Sequence, residues 1–192
     1  MEEVAMSSFW RGRRVLVTGH TGFKGAWLSL WLARLGAIVQ GIALPPLTKP
    51  NLFDLIDLQM EMGSTIGDIR QAETLQDAIT SFRPKAVFHL AAQPIVRQSY
   101  RDPLDTIQTN VLGTVHLLEA VRSASTVRAV VNVTTDKCYE NRDLARGYTE
   151  EDPLGGHDPY SSSKACAEIL SAAWRRSFQA LQEFVWAEAG LG

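Results

Sequence analysis

The feature that most narrows the folds open to this chain is a turn of three glycines set between an apolar strand and an apolar helix. RRVLVTG, residues 13–19, has the composition of a buried strand, and HTGFKG follows it, so that Gly19, Gly22 and Gly25 fall in a G-x-x-G-x-x-G spacing. FKGAWLSLWLARLG then continues as a helix that Gly36 closes. Missing side chains let backbone approach a bound group, and the free amides of a helix N-terminus favour negative charge, so the turn suits a pyrophosphate. Thr21 and Phe23 lie within it and join the three glycines as expected cofactor-binding residues. Trp27, Leu28, Trp31, Leu32 and Leu35 recur at three- and four-residue spacing and are the expected apolar face of the helix.

The same alternation runs on along the chain. Strands are expected at 37–43, 64–69, 85–92 and 128–135, a short helical stretch at 52–60, and helices at 72–82, 103–124 and 159–178. Strands that are almost wholly apolar, alternating with helices, imply a parallel sheet covered on both faces, the α/β doubly wound architecture. The expected organisation is an N-terminal extension over 1–11, a Rossmann-like dinucleotide-binding domain over 12–178 and a divergent or truncated tail over 179–192.

In such a sheet the ligand sits at the carboxyl ends of the strands. Asp68 and Ile69 end the third strand, with Asp68 a candidate acceptor for an adenine amino group. Leu90, Ala91 and Ala92 end the fourth, with small side chains where a flat cofactor passes close to backbone. The segment QGIALPPLTK after the second strand offers neither a carboxylate nor an arginine, so the residues alone leave NAD and NADP both open. At the end of the fifth strand VVNVTT runs into Asp136 and Lys137, an acid and a base side by side. Tyr160 and Lys164 stand four apart on the last helix and share a face, so the ammonium is expected to draw the phenol pKa from about 10 towards neutrality and make Tyr160 a general base.

Other classes of function find little support. A net charge of -2 gives no footprint for nucleic acid, no run approaches about 18 apolar residues, and MEEVAMSSFWRGRR lacks the apolar core of a signal peptide. Two cysteines, Cys138 and Cys166, are too few for a disulfide scaffold, and His20, His89, His116 and His157 are scattered, with none assigned to catalysis or metal. A cytoplasmic location is expected.

VTGHTGFKGAWLSLWL, HLAAQPIVRQSYRDP, TNVLGTVHLLEAVR, VVNVTTDKCYEN and EEDPLGGHDPYSSSKACAE together resemble the extended short-chain dehydrogenase/reductase superfamily, and within it the CDP-glucose branch of the nucleotide-sugar 4,6-dehydratases. The resemblance covers about residues 8–178 and implies NAD as cofactor, a nucleotide-sugar substrate and a homodimer built on the two long helices. It also implies roles: Tyr160 as base at sugar carbon 4 with Lys164 and Thr135 around its oxygen, Asp136 as acid for the departing hydroxyl, and Lys137 beside it. Gln93, Arg97 and Ser99 are implied as sugar contacts. Members of the family are longer, with a C-terminal substrate domain, so the chain is expected to be C-terminally truncated. The alternatives are a 4-epimerase or reductase of the same superfamily, or a non-catalytic dinucleotide-binding fragment.

Overall fold

The computed structural model describes residues 8–142, 145–178 and 185–190. Six strands, β1 (Arg14–Thr18), β2 (Ile38–Ala43), β3 (Gly63–Ile66), β4 (Ala86–His89), β5 (Ala129–Thr134) and β6 (Val185–Gly190), form one sheet in the order β3-β2-β1-β4-β5-β6. Every pairing is parallel. The order reverses between β1 and β4, which opens a crevice above the carboxyl ends of those two strands. The expected fold class holds, and residues 185–190 of the expected tail pair with β5 as the sixth strand. Most of the expected N-terminal extension lies outside the described residues.

The helices are α1 (Phe23–Arg34), α2 (Leu52–Leu55), α3 (Ala72–Phe82), α4 (Val96–Arg101), α5 (Pro103–Ile107), α6 (Gly113–Arg122) and α7 (Pro159–Phe178). One core cluster, with Leu16, Ile42, Leu75, Ile79, Val87, Leu117 and Val130, fills the face of the sheet under α3 and α6. The other, with Val15, Val17, Ala26, Leu32, Val39 and Phe53, lies under α1 and α2. Both faces are therefore covered, as apolar parallel strands require.

Two expectations about helices change. The buried residues of α1 are Gly25, Ala26, Ser29 and Leu32, whereas Trp27 and Trp31 are 50% and 56% exposed. Small residues let α1 lie close on the sheet and bring its N-terminus to the glycine turn, and the bulky indoles are left outside. The expected single helix over 103–124 is interrupted: Gln108–Leu112 forms a π turn between α5 and α6, with Asn110 buried inside it. Such turns widen a helix locally and direct a side chain sideways.

Candidate active site

The glycine turn is built by close backbone contact. Gly19 has φ +79°, and a Cβ there would lie 2.7 Å from the Ala91 nitrogen. Its carbonyl accepts from the Gly22 amide at 3.0 Å. A Cβ on Gly25 would lie 2.1 Å from the Gly19 carbonyl oxygen, so the start of α1 touches the turn directly. Gly22 caps α1 with no side-chain hydrogen bond and no acidic residue occupies the first turn, which leaves the N-terminal amides open to an anion. The residues present fit a dinucleotide pyrophosphate. Thr21 donates its hydroxyl to the Leu44 carbonyl and so fixes the turn to the end of β2, while Phe23 is exposed. Replacing Gly25 by alanine is expected to cost about 1–3 kcal/mol of stability through overpacking and to weaken dinucleotide binding by at least about tenfold. Thermal melting and a calorimetric titration of Gly25→Ala check both.

His20 is buried beneath the turn, its Nε2 2.7 Å from the Ser64 hydroxyl and its ring against Phe53. A Cβ on Gly41 would enter that ring, so the histidine and the glycine of β2 fit one another. Burial holds its pKa below the ordinary value.

Along the rest of the crevice the expected residues divide. Asp68 is gripped by Arg70, whose Nε lies 2.8 Å and 3.0 Å from its two oxygens, and this pairing lowers the carboxyl pKa. Ile69 points into the core against Gly113 and its carbonyl accepts from His116, so its side chain is not in the crevice. Leu90, Ala91 and Ala92 follow β4 beside Gly19, with the Leu90 amide bonded to the Thr18 carbonyl. Gln93 is engaged by its own loop and by α5, accepting from the Ile95 amide and donating to Thr106. Ser99 is wholly buried with its hydroxyl given to the Val96 carbonyl, and only Arg97 of the three implied sugar contacts is exposed.

The catalytic candidates converge where β5 meets α7. Thr135 caps a single 3-10 turn, Asp136–Cys138, and its hydroxyl donates to the Asp136 carboxylate at 3.1 Å. Asp136 and Lys137 are exposed at the mouth of the strand. Asp158 caps α7 through the Ser161 amide and hydroxyl, which sets Tyr160 in the first turn facing β5. Lys164 is buried and its Nζ donates to the Val133 carbonyl at 3.1 Å. One turn further, Glu168 accepts from the Thr134 hydroxyl.

The electrostatics correct one expectation. The Tyr160 phenol is pushed up rather than down, first by burial, with the Thr135 hydrogen bond opposing. Burial also brings Lys164 down to about 8. Four-residue spacing places the two side chains on one face, but the ammonium is turned onto the Val133 carbonyl, so desolvation decides the phenol pKa.

Three residues that sequence reasoning left unassigned tie this cluster to the glycine turn. Asn110, in the π turn, accepts from the Gln93 amide at 2.8 Å and donates to the Ser163 hydroxyl at 2.9 Å, joining the β4 loop to α7. Thr18 and His89, at the tips of β1 and β4, are wholly or almost wholly buried and bonded to each other at 2.7 Å. The only sign of Asn110 in the sequence was its place in TNVLGT, within a helix read for its apolar stripe.

The sequence model of the GDP-mannose 4,6 dehydratase family matches residues 16–183. A CDP-glucose 4,6-dehydratase of Salmonella typhimurium is 57% identical over 171 residues, covering 89% of this chain and 48% of that protein. A dTDP-glucose 4,6-dehydratase of Mycolicibacterium smegmatis is 37% identical, with 86% of this chain and 50% of that protein covered. Among solved structures, a UDP-glucose 4-epimerase of Thermus thermophilus in complex with NAD superimposes with TM-score 0.77 at 28% identity, over 91% of this chain and 53% of the other. MoeE5 in complex with UDP-glucose and NAD gives 0.75 at 29%, over 91% and 52%. The chain therefore spans about half the length of the relatives it matches. A doubly wound sheet, a glycine turn at the head of α1, the Tyr160–Lys164 pair and a family match over most of its length place this chain in the GDP-mannose 4,6-dehydratase family of nucleotide-sugar dehydratases.

Proposed function

We propose that the chain carries the dinucleotide site and the acid–base residues of an NAD-dependent nucleotide-sugar 4,6-dehydratase, with CDP-glucose as substrate and the 4-keto-6-deoxy sugar as product. The observation that carries this reading is the anchor of Lys164 on Val133, three residues before Asp136: it fastens the helix bearing Tyr160 to the strand bearing the acid. The Salmonella relative supports CDP-glucose over other nucleotide sugars.

NAD, held at the turn of Gly19, Gly22 and Gly25, would supply the oxidant for carbon 4 and the reductant for carbon 6 and would be unchanged over one cycle. Tyr160 takes the proton of the carbon 4 hydroxyl. Thr135, beside that phenol and lowering its pKa, is placed to hold the same oxygen in line. The ketone acidifies the proton at carbon 5, and its removal lets the carbon 6 hydroxyl depart. Asp136 protonates that hydroxyl as it leaves as water, Lys137 assists removal of the carbon 5 proton, and carbon 5 takes a proton back as hydride reaches carbon 6. Acid and base stand together at the mouth of β5 because elimination needs both at one carbon–carbon bond.

Incubation with CDP-glucose, read as the absorbance of a 4-keto-6-deoxy product in alkali, tests the assignment; a CDP-galactose product in its place would make the protein an epimerase. Asp136→Asn is expected to slow product formation by about 100-fold or more, the scale of one lost general acid. Dinucleotide affinity stays within a few-fold, and an unchanged rate places the acid elsewhere.

The reading extends to assembly and place. Leu104, Leu112 and Ile169 on the α5–α6 and α7 surface are 65%, 47% and 55% exposed, which supports a homodimer through these helices. Light scattering at micromolar concentration is expected to give twice the chain mass, and a monomer refutes it. Among the described residues no helix is long and apolar enough to cross a membrane, in keeping with action in the cytoplasm.

A further inference from the structure

A chain of buried hydrogen bonds runs beneath the crevice from the cofactor loop to the π turn. The Ala91 amide donates to Thr18 Oγ1 at 3.1 Å, and Thr18 Oγ1 lies 2.7 Å from His89 Nδ1. His89 Nε2 lies 3.3 Å from Thr114 Oγ1, and the Thr114 hydroxyl donates to the Asn110 carbonyl at 2.7 Å. Both ends are backbone groups whose polarity is fixed, an N–H at one and a C=O at the other. Thr114 has one proton and gives it to a carbonyl, so towards His89 it accepts, and Nε2 carries the hydrogen. Nδ1 is then bare and accepts the Thr18 hydroxyl proton, which leaves Thr18 Oγ1 to accept from Ala91. Each group is satisfied in one arrangement only.

We propose that His89, locked as the neutral Nε2–H tautomer, is a positioning residue that sets the cofactor loop in register with the helix carrying Tyr160 and Lys164. The loop end of the chain is Ala91, whose nitrogen lies against Gly19 of the glycine turn. The far end is Asn110, whose side chain holds Gln93 on one side and Ser163, beside Lys164, on the other. Any shift of the ring is passed to both halves of the site. Among the described residues Lys164 is the charged group that acts on His89, and Thr18, His89 and Thr114 are each at most 3% exposed, so the ring is shielded from water.

The functional half of this inference rests on the dinucleotide reading above, and the tautomer does not, so the experiment has two arms. Long-range proton–nitrogen spectra of the labelled chain are expected to show His89 with a pyridine-like Nδ1 and a protonated Nε2, unchanged between pH 8 and pH 5.5. A protonated Nδ1, or a mixture of tautomers, overturns the assignment whether or not NAD binds. In the second arm, Thr114→Val removes the acceptor with little change of shape, and Thr114→Ser restores it. NAD affinity, followed by tryptophan quenching, is expected to fall about tenfold in the valine variant and to return to within twofold in the serine variant. Equal affinity in a folded valine variant overturns the positioning role. Failure of the wild-type chain to bind NAD, with the tautomer as predicted, faults the cofactor reading and leaves only the lock.

Discussion

In a version extended to the length of its relatives, Tyr160→Phe is expected to lower CDP-glucose turnover by about 1,000-fold or more, towards the upper end of what one positioned proton transfer contributes. The change removes one oxygen and leaves the ring, so the packing of a half-buried side chain between β5 and α7 is kept. That oxygen is the partner of Thr135 and the atom that meets the carbon 4 hydroxyl in the proposed reaction. Without it the base proposed for the hydroxyl proton is gone, while Lys164 stays on the Val133 carbonyl and Thr135 on Asp136. Dinucleotide affinity, set by the glycine turn, is expected to stay within a few-fold. Product absorbance and a calorimetric titration give the two readings, and retention of more than about a tenth of the rate removes Tyr160 from the role of base.

The second large effect is on stability in acid. His89 is wholly buried, and desolvation, aided by Lys164, lowers its pKa from 6.5 to about 3. The folded state therefore keeps a neutral imidazole over a range in which the unfolded chain takes up a proton. Because the unfolded state binds more protons there, stability falls as pH drops through that window and is fully present above pH 6.5. One proton is worth about 1.4 kcal/mol per pH unit, so the whole window costs roughly 5 kcal/mol. A domain of ordinary stability has about 5–15 kcal/mol in hand. Urea midpoints at pH 7, 5.5 and 4.5 are expected to fall steeply for the wild type and more gently for His89→Gln. Parallel curves for the two would sink the prediction. Lys164 acts in the alkaline direction: with its pKa lowered to about 8, it adds stability as pH rises from there towards its ordinary value of 10.5.

Much of this was legible in the chain itself. The bounds of α3 and the start of α7 match the sequence expectation to the residue, because Pro84 closely follows the first and an aspartate and a proline mark the start of the second. The glycine turn and the Tyr160–Lys164 pair were visible because their spacing is local. What stayed hidden depends on contacts across the fold. Periodicity marks Trp27 and Trp31 as apolar but does not say that α1 approaches the sheet by its glycine, alanine and serine. Asn110 looks like an ordinary helix residue until a π turn redirects it. A lone histidine in an apolar strand carries no message until Thr18, 71 positions earlier, closes on it. Ser99 and Gln93 were plausible sugar ligands by type, yet both satisfy their own backbone first.

The parallel register also makes the sheet a ruler. Thr18 is level with His89, and His89 with Asn132, so β1 and β4 stop together while β5 runs on through Val133 and Thr134. At about 3.3 Å per residue, β5, with β6 level beside it, stands roughly 7 Å taller than β4 and β1. The rim of the site is thus a step, with the glycine turn and the alanines on the lower tread and Thr135, Asp136 and Lys137 on the upper. A dinucleotide held on the lower tread would lie below the acid and base, which would leave them to a substrate bound above it. Strand length, counted in residues, decides which partner each side chain can reach.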